Sequence, residues 1–172
     1  ERAQRSGVPV RDDPDRRPIV QLTELEQIAS LGPKDAVEGS RDARAFFALV
    51  NGALAASPNR SLLVYVHGSN NTVSRGTAQA SQLRHFTGRR KVVLAFLWPS
   101  AGSIARYFTD VASAAASIDE FVRLIEMLAA HTEAARIDVL AYSAGAQIVS
   151  PGLALLGTPR DGESPEQVRR RL

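Results

Sequence analysis

Residues 137–149 read IDVLAYSAGAQIV. From Ile137 to Tyr142 the run is nearly continuously apolar, as expected of a strand buried on both faces of a parallel sheet. Ala141, Ser143 and Gly145 then form a small-x-Ser-x-Gly pattern, and AQIV opens a helix. A serine hydroxyl is a weak nucleophile until a base takes its proton and donors stabilise the oxyanion that forms. A tight strand-to-helix turn lifts Oγ clear of the sheet and aims the next N–H, that of Ala144, at the developing charge. Small residues at 141 and 145 let the turn pack backbone against its neighbours. The plainer alternative is that Ser143 caps a helix.

Two similar apolar runs precede this one, SLLVYV (61–66) and KVVLAFL (91–97). A helix is expected at about 75–87. Ile118, Phe121, Val122, Ile125 and Leu128 recur at helical spacing before the last strand. Strand–helix–strand alternation implies right-handed crossovers and an α/β fold with a doubly wound, mainly parallel sheet. Ligands of such sheets sit at the carboxyl ends of the strands. The first strand ends in VHGSNN (66–71). Gly68 lets that backbone turn toward a substrate, and the N–H of Ser69 is the expected second oxyanion donor. Asn70 and Asn71 are expected to brace the loop through local hydrogen bonds.

The arrangement resembles the α/β-hydrolase fold, and more closely a bacterial esterase/lipase-like family of that superfamily, a domain of unknown function. LLVYVHGSNNT, LAFLWPSAGSIARYFTD, SAAASIDEFVRLIEML and IDVLAYSAGAQIV carry the resemblance, over about residues 45–155. It implies that the 61–66 strand lies beside the 137–142 strand, bringing HGSNN next to Ser143. It also implies that His67 holds the oxyanion loop. Ala141 stands where a first glycine is usual, Tyr142 and Ala144 where His and Met are, and Ser69 where an aromatic is. These departures alter the pocket more than the mechanism.

A Ser–His–acid triad in this superfamily takes its acid and histidine from after the serine, and no histidine follows Ser143. His85 lies roughly 20 Å away along its helix. His131 falls at the opposite edge of the sheet, about a strand length away. His67 belongs to the oxyanion loop. The simplest expectation is that the domain is incomplete at its C-terminus, with base and acid beyond residue 172. The chain is then a serine hydrolase acting on a small-molecule acyl substrate. The alternative is a catalytically inactive, hydrolase-like binding module.

Residues 1–18, rich in Arg, Asp and Pro, read as an irregular arm, and residues 19–172 as one domain. PIVQL (18–22) suggests a short edge strand, and Ser40 a helix N-cap. The chain starts at Glu1, so any signal peptide and the compartment stay open, as does the oligomeric state. With no cysteine there is neither a disulfide nor a thiolate metal site. No motif calls for a metal, phosphate or dinucleotide, and no cofactor is expected. A net charge of +3 with 6% aromatics does not suit a nucleic-acid binder. The uncharged run 139–159 is long enough to span a membrane. Its serines, prolines and glycines fit a strand, turn and helix better. Trp98 either walls the acyl pocket or caps the core. Asp110 reads first as an ordinary first-turn carboxylate and second as an acid that orients a loop. Pro151 and Gly152 should kink or end the last helix near Ser150.

Overall fold

The computed structural model describes residues 4–5, 24–25, 40–101 and 107–171. Two short strands, β1 (Gln4–Arg5) and β2 (Glu24–Leu25), pair antiparallel. The rest of the 1–18 arm, and PIVQL, fall outside the described residues. Helix α1 (Arg41–Ala55) begins at Ser40, whose hydroxyl accepts the N–H of Ala43 at 3.2 Å. It is followed by β3 (Ser61–Val66), α2 (Val73–Phe86), β4 (Lys91–Phe96), α3 (Tyr107–Ala116), α4 (Ile118–His131) and β5 (Arg136–Ala141). A single 3₁₀ turn (Ser143–Gly145) then leads into α5 (Ala146–Gly157), and α6 (Pro165–Arg171) follows.

The three longer strands form one parallel sheet in the order β4–β3–β5. Each outer strand pairs in register with β3: Val66 lies opposite Phe96 on one side and Ala141 on the other. Every residue of the central strand is buried. β4 and β5 are only half covered, each having one strand partner among the described residues. Leu97 and Tyr142, read from sequence as the last strand residues, lie just past the ladder and are exposed. An apolar run alone does not mark where pairing stops.

Side chains alternate across the sheet. Leu62, Val64 and Val66 join Val92, Leu94, Phe96, Ile137 and Val139 in the main core, with α1, α4 and α5 packed on that face. Phe121 of α4 is fully buried there, edge-on to Phe96. α2 covers part of the other face, where the Tyr65 hydroxyl donates to Gln79. The α/β, doubly wound reading therefore holds. The uncharged 139–159 run divides into strand, turn and helix, and among the described residues no helix is long and apolar enough to cross a membrane.

Of the expected kink or end near Ser150, the end does not occur: α5 runs through Pro151 to Gly157. Proline removes one ladder bond. Ile148, Val149 and Leu156 bury that helix against the core, and burial of each large side chain contributes about 1.5–3 kcal/mol. Packing outweighs the lost bond.

On the α2 face an ion pair spans the sheet. Lys91 of β4 reaches over β3 to Asp138 of β5 at 2.6 Å, and Arg136 also binds that carboxylate. The Lys91 hydrogen bond is the main reason the Asp138 carboxyl is held below its ordinary value of 3.8. The pair thus stabilises the fold above about pH 4 and is lost as acid titrates the folded carboxylate. Asp138→Asn is expected to lower the urea midpoint at pH 7, and the gap from wild type should shrink at pH 3. An equal gap at both pH values would contradict this.

Candidate active site

β5 ends at Ala141, and Ser143 follows with φ at +51°, in the left-handed region that non-glycine residues seldom occupy. A serine held there stores strain that its surroundings must over-determine. Two features hold it. The Tyr142 N–H donates to the Val66 carbonyl at 2.9 Å, tying the turn to the end of β3, and the Gly145 N–H closes the turn on the Tyr142 carbonyl at 2.9 Å. A side chain at Gly145 would put its Cβ 2.7 Å from both the Val66 and His67 carbonyl oxygens. Only glycine lets the turn pack that close. Ser143 itself is exposed while Ala144 and Gly145 are buried. The Ser143 side chain caps neither the turn nor α5, and its hydroxyl has no partner among the described residues.

The His67–Asn71 loop lies against this turn. A Cβ on Gly68 would sit 3.0 Å from the Ser143 Cβ and 3.0 Å from the Tyr142 carbonyl oxygen. The next donors along the loop are all engaged. The N–H of Asn70 goes to Asp110 at 3.0 Å, that of Asn71 to the Ser100 hydroxyl at 3.2 Å, and that of Thr72 to the Asn71 side chain at 3.0 Å. By contrast, the N–H groups of Ser69 and Ala144 have no acceptor among the described residues.

His67 is buried beneath the loop, stacked on Trp98 with ring centroids 5.1 Å apart. Burial pushes its pKa below 6.5, against the upward pull of backbone hydrogen bonds to Gly68 and Trp98. Its Nδ1 lies 2.8 Å from the Gly68 carbonyl, which can only accept, so Nδ1 carries the proton. Trp98 is itself a core residue, and its Nε1–H donates to the His67 carbonyl at 2.7 Å. The Asn71 side-chain amide donates to Gln79 Oε1 at 2.8 Å, the same oxygen that takes the Tyr65 hydroxyl. Burial, and secondarily Tyr142, raise the Tyr65 pKa above 10.0, so the phenol stays a donor.

One cavity borders the loop and a second lies along α2. The first, of about 280 Å³, lies between His67, Asn71, Val73 and the Leu97–Ser100 segment. The other, about 260 Å³ and largely apolar, runs from Tyr142 and Leu140 along α2 to Phe86. Trp98 and Tyr142 thus line different cavities.

Residues 42–170 match the protein family described as "Alpha/beta hydrolase of unknown function (DUF900)". The chain belongs to this family. Comparison with curated proteins and with solved structures finds no match.

In this α/β hydrolase the structure brings together Ser143, Ala144, Tyr142, His67, Gly68, Ser69, Asn70 and Asn71 at the carboxyl ends of β3 and β5. His85 and His131 stay apart. His85 is exposed near the end of α2, edge-on to Phe86, and His131 ends α4 with its ring against Phe47. No group of three metal-binding side chains occurs among the described residues. Asp110 does sit in the first turn of α3, but it is fully buried and holds the loop as well. Gln79 and the bonding role of Ser100 escaped the sequence reading. The local signals for them are faint: a polar residue between buried Gly76 and Ala80, and a hydroxyl just past a strand end.

Gly145→Ala should lower stability by about 1–3 kcal/mol, because two backbone carbonyls must move. Gly52→Ala, in open space within α1, should be neutral or stabilise by about 0.5–1 kcal/mol. Urea unfolding of the two variants checks the contrast, and equal effects would refute it.

Proposed function

We propose that this protein is a serine hydrolase acting on esters or related acyl substrates, with Ser143 as nucleophile. The observation that carries the reading is the pairing of an exposed, left-handed serine with two backbone N–H groups that have no acceptor among the described residues, that of Ala144 in the serine's own turn and that of Ser69 in the neighbouring loop. Backbone N–H groups with no internal partner are rare where structure is tight. Donors held ready for an oxyanion are the kind that lower an acyl-transfer barrier most.

In this mechanism Ser143 Oγ attacks the substrate carbonyl while a base takes its proton. The tetrahedral oxyanion is held by the N–H groups of Ser69 and Ala144, with the start of α5 adding its dipole. Collapse of that intermediate expels the alcohol and leaves an acyl-enzyme that water then hydrolyses. His67 does not serve as the base: it is buried, and its Nδ1 proton is committed to Gly68. We assign base and acid to residues beyond Leu172, in the order usual for this fold. His67, Asn70 and Asn71 support the loop. Tyr142 and Trp98 wall the adjoining cavities, and no cofactor takes part.

A fluorophosphonate probe is expected to label the full-length protein, and Ser143→Ala should abolish labelling. The same variant should cut turnover of p-nitrophenyl esters by about six orders of magnitude. A full-length protein that is neither labelled nor active across an ester panel would favour an inactive binding module instead.

A further inference from the structure

Asp110 is the fully buried carboxylate that the mechanism above leaves without a task. A first-turn acid serving only the helix dipole gains from standing in water at the surface. This one is withdrawn from water, which is costly unless donors surround it. Its Oδ2 accepts the N–H of Asn70 at 3.0 Å and the hydroxyl of Ser100 at 2.9 Å. Its Oδ1 accepts the N–H of Ala101 at 2.6 Å. Ser100 Oγ in turn accepts the N–H of Asn71 at 3.2 Å. One carboxylate of α3 therefore joins the loop after β3 to the segment after β4.

The consequence falls on the residue between the anchored ones. The N–H of Ser69 belongs to the Gly68–Ser69 peptide, whose carbonyl takes the His67 Nδ1 proton. In a planar trans peptide the N–H and C=O point in opposite directions. Holding the Gly68 carbonyl toward His67 thus turns the Ser69 N–H away from it. The next peptide, Ser69–Asn70, is fixed when the Asn70 N–H binds Asp110. Between them these two bonds leave the Ser69 backbone no free rotation, and Asn70 itself is held at a left-handed φ of +53°.

We propose that Asp110 is a positioning residue for the oxyanion donor of Ser69, acting through Asn70 and Ser100 without touching substrate. The proposal rests on the serine-hydrolase reading and extends it to a residue 40 positions away from the donor's neighbour.

The test uses the full-length protein, p-nitrophenyl butyrate and a fluorophosphonate. Asp110→Ala is expected to lower kcat and the labelling rate about 10- to 100-fold, with KM within about threefold of wild type. Asp110→Asn should fall between: its amide oxygen can still take the Asn70 N–H, while its NH2 faces the Ala101 N–H. Ser100→Ala should cost about 3- to 10-fold in kcat. Melting curves identify a temperature at which every variant is folded, and if Asp110→Ala does not fold the other two carry the test. Unchanged kcat in folded Asp110→Asn and Ser100→Ala would overturn the positioning role, as would a raised KM with kcat intact. If those variants match an active, labelled wild type, only the role of Asp110 falls. A wild type with no turnover and no labelling removes the serine-hydrolase reading and the positioning role together.

Discussion

Val66 and Ala141 are partners in the last rung of a parallel ladder, and the chain leaves both strands at the same height. Everything at the site depends on that pairing. It delivers the His67–Asn71 loop and the Ser143 turn to one edge of the sheet. The hydrogen bond from the Tyr142 N–H to the Val66 carbonyl then extends the ladder one step into the turn itself. Gly145 completes the constraint, because its missing Cβ is the space that the Val66 and His67 carbonyls occupy. A shift of one residue in the β3–β5 register would separate the loop from the turn by about 3.3 Å and reverse every side chain of β5 across the sheet.

The buried polar groups are not spread evenly. Among the described residues they are Ser61, His67, Asn71, Asp110 and Ser117, and three of these belong to the network around the single loop. Buried polar groups must find partners, and once satisfied such a network is rigid. The loop is held from three directions: by Trp98 through the His67 carbonyl, by Gln79 through Asn71, and by Asp110 through Asn70 and Ser100. The strained φ values of Asn70 and Ser143 fall within this clamped region. Strain persists where neighbouring bonds leave the backbone no alternative.

What could be read from sequence was local. The apolar runs marked β3, β4 and β5, and small-x-Ser-x-Gly after the last of them marked the turn. The tie between Asp110 and Asn70 was not legible, since it joins residues 40 apart through a helix whose placement no local pattern encodes. The double acceptance at Gln79 likewise depends on how α2 lies across Tyr65. The helix end expected at Pro151 failed for a related reason. The proline's local cost is real, but burial of Ile148 and Leu156 decided the outcome, and that packing is tertiary. The strand ends were misjudged by one residue because Leu97 and Tyr142 are apolar for reasons other than pairing: both line cavities.

The two ends of the sheet follow different electrostatic rules. Toward the strand starts, formal charges meet: Lys91 and Arg136 on Asp138, and Arg60 on Glu133 at 3.2 Å. At the carboxyl ends the loop's own residues include no Lys or Arg, the Arg75 guanidinium reaches only the Asn70 carbonyl at 3.5 Å, burial lowers the His67 pKa, and the fully buried charge among the described residues is negative. A carboxylate near a developing oxyanion opposes it by Coulomb repulsion, which grows as the surroundings become less polar. Among the described residues, the Asn70 and Ala101 N–H groups and the Ser100 hydroxyl are aimed at Asp110 and screen that repulsion in the resting structure. On the proposed mechanism, then, Asp110 gives no electrostatic help to the transition state, and its contribution has to be geometric. Stabilisation of the oxyanion falls to fixed backbone dipoles, which are effective only while their orientation is set before the substrate arrives. On that proposal, this requirement is what a buried charge committed to holding one peptide plane still would serve.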